Sequence, residues 1–401
     1  MKRIAVFAFV VLQIATLSGY GAAKEPASPQ AIHEKALVFD THVDSPLAMY
    51  YGHVDIGTRE PRADLDLLRM VEGGLDAVFF AVFVPNDQDM DHPSERAFTL
   101  LDEICNQVGR YGERAEIARN SSDILRLHRE GRRAILISME NGGPIEGKLS
   151  MLRTYYRLGV RAITLTHVKH NSICDSSTDS PPKWGGLSPF GKEVVTEMNR
   201  LGMVVDVSHL SDDAVRDVLH VSRAPVMASH SGARAVCDTP RNLPDDLLRA
   251  IAEAGGTVQV NFYAEYIDSD YAKKAKEFRT SMEPVYEELK KTYADDKGAY
   301  WQAIGQLWKE KGPDRPGLDR LIDHIDHIVH VAGIDHVGLG SDYDGAGSFP
   351  IGLEDVTGYP KITEALLDRG YSPEDVAKIL GGNIFRVLRE VERTSRTWPK
   401  N

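Results

Sequence analysis

Short apolar runs recur along the chain and alternate with stretches whose apolar residues fall at helical spacing. Eight runs predict strands, over residues 36–44, 75–84, 134–140, 162–167, 204–209, 225–230, 257–263 and 336–342. Most are rich in Val, Ile or Phe and too short for a typical helix. Several are apolar on both faces, as parallel strands covered by helices read. Amphipathic helices are predicted between them over 65–71, 95–108, 123–130, 149–158, 189–201, 211–219, 244–254 and 318–332, with three more helical segments closing the chain. Gly202 and Gly255 stand where two of these helices should stop, and Ser211 stands where one should start.

Eight strand–helix units predict an α/β fold, a (β/α)8 TIM-type barrel. An open doubly wound sheet fits less well, because no glycine-rich phosphate loop follows the first strand. Residues 264–312 break the repeat. They are charged and aromatic, with Tyr266, Tyr271, Phe278, Tyr286, Tyr293, Tyr300, Trp301 and Trp308, and read as a helical insertion after the seventh strand. The aromatics there could form a lid, with helix packing the plainer reading.

The first residues read differently. Lys2 and Arg3 precede an apolar run to Leu17, and Gly21-Ala22-Ala23 offers a small-residue cleavage site. Residues 1–23 are therefore expected to be an export signal, 24–35 a linker, and 36–401 a single barrel domain. A retained membrane anchor is the alternative, but the run is short for a span of roughly 20 residues. The mature chain is expected to be periplasmic or extracellular, with no stable membrane anchor. With 47 basic and 59 acidic residues the net charge is −12, which argues against nucleic acid or anionic lipid as partners. Cys105, Cys174 and Cys237 permit at most one intrachain disulfide and lack zinc-cluster spacing.

The chemistry is positional. The predicted strands end in His42-Val43-Asp44, Glu140, His167, His209, His230 and Asp342. In a parallel barrel the C-terminal strand ends converge on one mouth, where active sites lie. One strand-end histidine is usually structural. Four imidazoles and three carboxylates gathered together are costly to bury unless something offsets their charge, and a metal ion does so. Imidazole with carboxylate is the donor set expected for zinc or another divalent transition metal. His42, Asp44, Glu140, His209 and His230 exceed what one tetrahedral ion takes. If Glu140 bridges, two metals each gain three protein ligands and share a water, a recognised hydrolytic device.

The motifs Asp40-Thr-His-Val-Asp44-Ser-Pro, Leu165-Thr-His167, Gly186-Leu-Ser-Pro-Phe-Gly191, Val205-Asp-Val-Ser-His209, Ser229-His-Ser231, Arg241-Asn-Leu-Pro-Asp245, Val260-Asn-Phe-Tyr263 and Gly340-Ser-Asp-Tyr-Asp-Gly345 occur in this order. Together they resemble the membrane (renal) dipeptidase family, from about residue 36 to Val391. The resemblance implies an amidohydrolase-like barrel that hydrolyses dipeptides with two Zn2+ per chain. It implies His42 and Asp44 on one zinc, His209 and His230 on the other, and Glu140 on both. His167 would steady the oxyanion, Arg241 would hold the substrate carboxylate, and Asp342 would carry the proton from the bridging hydroxide's water to the leaving amine. A homodimer is a further expectation. Val43, where animal members carry Asn, Cys174, where relatives carry Ala, and the long 264–312 segment depart from the pattern.

Other polar residues receive plainer readings. Asp344 is expected to shape its turn, Asp206 to support the site from behind, and His324, His327 and His330 to lie on a solvated helix edge. His170 and Asp175 are read as pocket-lining or loop-surface groups. Two other functions keep the same frame: hydrolysis of N-acyl amino acids or cyclic amides such as β-lactam-like rings, and a non-hydrolytic exported protein that matures a metabolite.

Overall fold

Runs that are apolar on both faces demand cover on both, and the chain supplies it by closing its strands into a ring. The structure, a computed structural model, describes residues 27–85 and 92–399. The export signal expected over 1–23 lies outside the described residues. The strands are β1 (Phe39–Val43), β2 (Ala77–Phe83), β3 (Ala115–Ile117), β4 (Arg133–Glu140), β5 (Val160–Thr164), β6 (Val204–Asp206), β7 (Met227–Ser231), β8 (Thr257–Val260) and β9 (Val337–Leu339). All neighbouring pairs are parallel, in the order β1-β2-β4-β5-β6-β7-β8-β9. The ring closes just beyond β9. Val43 bridges Tyr343, the Asp342 N–H donates to the His42 carbonyl at 3.0 Å, and the Asp44 N–H donates to the Tyr343 carbonyl at 2.8 Å.

The strand β3 was not anticipated. Its three residues pair with the start of β4, outside the ring, and are too short to show a period.

Two buried carboxylates join neighbouring strand ends from inside the wall. Asp40 accepts the Ser341 N–H at 2.9 Å and the Tyr359 hydroxyl at 2.6 Å, tying β1 to the segment after β9. Asp206 accepts the Ser208 and Ser229 N–H groups at 3.0 and 2.9 Å, tying β6 to β7.

Outward residues such as Val78, Phe80, Val82, Ile135 and Ile137 pack beneath the surrounding helices. Phe39, Ala77, Phe79, Ala134, Leu136 and Met227, which lie toward the strand starts, form a second cluster with Ile384, Val387, Leu388 and Val391. The last four belong to the C-terminal helix Asn383–Arg396, which therefore plugs the end of the barrel opposite the mouth. Each such aromatic or branched side chain contributes about 1.5–3 kcal/mol by leaving water.

Most helices lie where the periodicity placed them, including Leu149–Leu158 and Pro189–Leu201. Ser211 caps the helix Asp212–Val221 by accepting the Ala214 N–H, and Gly202 takes the left-handed conformation expected of a helix stop. The 264–312 segment holds the helices Ala264–Ile267, Ser269–Thr292 and Lys297–Lys311. Among the described residues no helix is long and apolar enough to cross a membrane.

Two readings need correction. Part of the expected linker is a helix, Pro29–Lys35, started by the Ser28 side chain and Pro29; its His33 is buried and bonded to Thr363 Oγ1 at 2.7 Å and to the Gly73 carbonyl at 2.9 Å. His324 is not solvated. It is wholly buried, and its Nδ1 accepts the Ala233 N–H at 3.0 Å, which fixes this nitrogen as unprotonated. Its neighbour His327 faces Asp245 at 2.8 Å, and only His330 is exposed. No cysteine is paired; Cys105 is exposed, while Cys174 and Cys237 are buried.

Burial lowers the His324 pKa from 6.5 to about 4. Between those values the unfolded chain binds a proton that the folded chain refuses, so stability falls as pH drops. Acidification from pH 7 to 4 is expected to cost wild type on the order of 3 kcal/mol more than it costs His324→Gln. Urea unfolding at a series of pH values checks this, and parallel curves for the two proteins would refute it.

Candidate metal centre

The mouth is assembled by three residues inside strands and four beyond them. His42 lies within β1, Glu140 ends β4 and His230 lies within β7. His167, His209 and Asp342 each follow the last residue of β5, β6 and β9 by three positions, so the strands stop earlier than their apolar runs suggest. His209 and Asp342 both adopt φ of 68°, a left-handed turn that swings the side chain back over the opening. Asp44 stands just past β1 as the first residue ahead of the helix Ser45–Gly52, and its backbone is no longer extended. The turn, not strand alternation, brings it beside His42.

Glu140 is the hub. Its Oε1 lies 3.1 Å from His209 Nε2, 3.5 Å from His230 Nε2 and 3.7 Å from His167 Nε2, and its Oε2 lies 3.6 Å from His42 Nε2. His209 and His230 face each other at 2.8 Å between Nε2 atoms. Asp44 Oδ2 lies 3.4 Å from His42 Nε2. Three sets of donor atoms are close enough to grip an ion: His42 with Glu140 and His230, Glu140 with His167 and His209, and His42 with Asp44 and Asp342. All seven predicted ionisable groups thus meet in one place. The sets share His42 and Glu140, so the geometry does not by itself divide the ligands between two ions.

The donors fit a cation. His42 Nε2 and Asp44 Oδ1 are buried with no hydrogen-bond partner, an expensive state for such atoms. His230 is oriented from behind. Ser229 Oγ lies 2.7 Å from His230 Nδ1 and 2.5 Å from an Asp206 oxygen. The serine proton belongs to the carboxylate, so Nδ1 carries the imidazole proton and Nε2 aims its lone pair at Glu140. The supporting role expected of Asp206 is therefore met through Ser229.

Electrostatics agree with that arrangement. Burial, with the Arg241 charge assisting, holds His209 and His230 well below the usual imidazole range and hence neutral. Burial also opposes a charge on His42, but Glu140 and Asp44 outweigh it and hold this imidazole well above its ordinary value. Burial would raise Glu140, yet His42 and His167 keep it well below the carboxylate range. Asp44 is pushed up to about 7 by burial and by Glu140. Anionic donors crowded this way call for positive charge.

Around this core stand three further groups. Arg241 is buried; one Nη donates to the His230 carbonyl at 3.0 Å, while Nε and the other Nη have no partner. Asp342 accepts the Asn261 amide at 2.9 Å, and burial raises its pKa. His167 is the most open imidazole, with 19% of its side chain exposed against 1–6% for the other three. Asp344 shapes the turn as expected, accepting from Ser45 Oγ and from the Asp64 N–H at 2.6 Å. Asp175 is a loop organiser that accepts the N–H groups of Lys183, Trp184, Gly185 and Gly186. His170 is fastened to the same loop by the Ser176 N–H. Asn261 and Gly345 were not singled out beforehand, although both lie in quoted motifs. A Cβ on Gly345 would stand 2.0 Å from Asp44 Oδ2 and 2.9 Å from Asp342 Oδ1, so the spacing of the site requires a glycine there.

A parallel barrel whose mouth carries this donor set defines the class of amidohydrolase-like metallopeptidase barrels. The chain belongs to the membrane dipeptidase family, peptidase family M19, which it matches over residues 27–401. It is 36% identical over 343 residues to Dipeptidase tcpJ of Claviceps purpurea, covering 84% of this chain and 71% of that one. It is similar to the crystal structure of the probable dipeptidase PvdM from Pseudomonas aeruginosa, with 30% identity, TM-score 0.78 and coverage of 91% and 98%. It is similar also to a metallopeptidase from Rhodobacter sphaeroides liganded with a phosphinate mimic of the dipeptide L-Ala-D-Ala, with 26% identity, TM-score 0.73 and coverage of 89% and 99%.

Gly345→Ala is expected to keep the far-UV circular dichroism of wild type but to retain at least about tenfold less divalent metal after dialysis, since it displaces Asp44. Equal metal content by elemental analysis would contradict the assigned crowding.

Proposed function

We propose that the protein is an exported zinc-dependent dipeptidase with two ions per chain. The observation that carries this reading is the buried guanidinium of Arg241, whose Nε and one Nη have no hydrogen-bond partner, beside an imidazole cluster centred on one carboxylate. His42, Asp44, Glu140, His209 and His230 would hold the metals, with Glu140 common to both. Bound there, a pair of divalent ions would acidify a water molecule and polarise the scissile carbonyl.

The remaining chemistry falls to side chains. The free donors of Arg241 form a fork suited to the C-terminal carboxylate of a dipeptide, and its bond to the His230 carbonyl fixes that fork relative to the metal-binding strand. His167, the most open imidazole, would donate a hydrogen bond to the oxygen that gains charge in the tetrahedral intermediate. Asp342, oriented by Asn261 and raised in pKa by burial, would take a proton from the attacking water and deliver it to the leaving amine. Family membership and the dipeptidase relatives support the substrate class. Zinc is favoured because three imidazoles with two carboxylates are a poor match for Mg2+ or Ca2+. The basic, apolar start of the chain supports export to the periplasm or beyond.

Asp342→Asn is expected to lower kcat by about 10²–10⁴-fold while metal content stays at the wild-type level. Unchanged turnover would remove the proton-transfer role. Arg241→Ala is expected to raise KM for dipeptides by about 10–100-fold, with a much smaller effect on the corresponding dipeptide amides. An equal effect on acid and amide would count against the carboxylate clamp.

A further inference from the structure

The insertion after β8 reaches the site through a continuous line of contacts. Arg279, on the insertion helix Ser269–Thr292, meets both oxygens of Glu265, at 2.6 Å for the Nη2–Oε2 contact. Glu265 has 11% of its side chain exposed and also accepts the Tyr263 hydroxyl. The Tyr263 ring stands edge-on to Tyr266 with centroids 4.9 Å apart. Tyr266 lies under the Arg241 guanidinium, 5.3 Å from ring centroid to carbon, and its carbonyl is held by Asn242 at 2.7 Å. Tyr263 is anchored as well through its N–H, which donates to Asn261 at 2.6 Å. Behind the pair, the Trp308 ring covers Arg279 at 5.6 Å and Phe278 at 4.9 Å.

We propose that Arg279 is a positioning residue for substrate binding: it fixes Glu265 and the Tyr263–Tyr266 pair, and thereby the face of Arg241 that receives the substrate carboxylate. This rests on the reading of Arg241 as the carboxylate clamp. An exposed ion pair contributes little, but this one is two-pronged and its carboxylate is largely shielded. Removing Arg279 leaves Glu265 with only the Tyr263 hydroxyl as a partner, so Glu265 must turn toward water or pull the tyrosine with it. Either movement withdraws support from one side of Arg241. The line touches neither Glu140 nor the donor nitrogens, and its one branch toward Asp342 runs from the Tyr263 backbone N–H through Asn261, which the Arg279–Glu265 pair does not hold, so the effect should fall on substrate binding far more than on turnover.

The test uses the full-length, metal-loaded enzyme with Arg279→Met, Arg279→Lys and Glu265→Gln. Arg279→Met is expected to raise KM for a dipeptide about tenfold with kcat within about twofold, and to leave kcat/KM for the dipeptide amide near wild type. Arg279→Lys should restore most of the affinity, and Glu265→Gln should fall between the two. A second readout is independent of activity. Amide hydrogen exchange across 233–243 and 263–267 should quicken about tenfold in Arg279→Met, with other segments unchanged. Equal losses on acid and amide, a fall in kcat without a change in KM, or exchange like wild type would overturn the proposal. If wild type hydrolyses no dipeptide, the function proposed above fails, and the exchange result alone then decides whether Arg279 positions Arg241. If Arg279→Met does not fold, the Arg279→Lys and Glu265→Gln pair carries the same comparison.

Discussion

The carboxylate of Glu140 sits in a buried ring of imidazoles, and the rest of the site follows from what that burial demands. An acid removed from water must be compensated by charge, by hydrogen bonds or by a cation. Here the compensation is unfinished. His209 and His230 are neutral and offer lone pairs, and His42 and Asp44 each keep a buried atom without a hydrogen-bond partner. A protein that wanted only stability would fill such a place with apolar groups. The cost is accepted where chemistry needs a preorganised donor set, and the opposite end of the same barrel shows the contrast. There Phe39, Phe79 and Met227 close against Ile384 and Leu388 in a buried apolar cluster.

Holding that ring open requires strand ends that do not drift. Regular parallel ladders stop before the mouth, so strand pairing alone does not set the positions of His167, His209 and Asp342. Side chains take over. Asp40 binds the segment after β9 to β1, and Asp206 binds β7 to β6; each carboxylate receives both backbone and hydroxyl donors from its neighbour. The two staples flank the metal donors, and the second also fixes the proton on His230 through Ser229. Rigidity and ligand basicity therefore come from the same groups.

Much of this was legible in the sequence because barrel strands are mostly apolar and their runs end at polar residues. That break marks the mouth whether or not the residue is still in the strand, which is why His209 and Asp342 were located correctly while their backbone was not. Left-handed turns at non-glycine residues have no reliable local signal. His42 and Asp44 stand two apart in the sequence, and a turn after β1 brings their side chains together. Tertiary contacts account for the other failures. His324 reads as a polar residue on a helix edge, and only the folded chain reveals that the Ala233 N–H needs its Nδ1. Pro29–Lys35 reads as linker because seven residues are too few to display a period, although Ser28 and Pro29 are a helix start. Gly345 stood within a motif, but the reason for a glycine appears only when the space next to Asp44 is measured.

The placement of the insertion bears on how one barrel can serve different substrates. The candidate metal donors come from β1 and the turn after it, from β4 and β7 and from the turn after β6, with His167 and Asp342 beside them on the turns after β5 and β9, all tied to one another by the closed ring. Any change there disturbs the chemistry. The segment after β8 contributes no metal donor, and it carries Tyr263, Tyr266 and the helices that follow. It can lengthen or alter without reaching Glu140, while still pressing on Arg241 through Tyr266. The length of 264–312 in this chain falls at a crossing where a change can adjust the surroundings of Arg241 without altering the donors of the candidate metal centre.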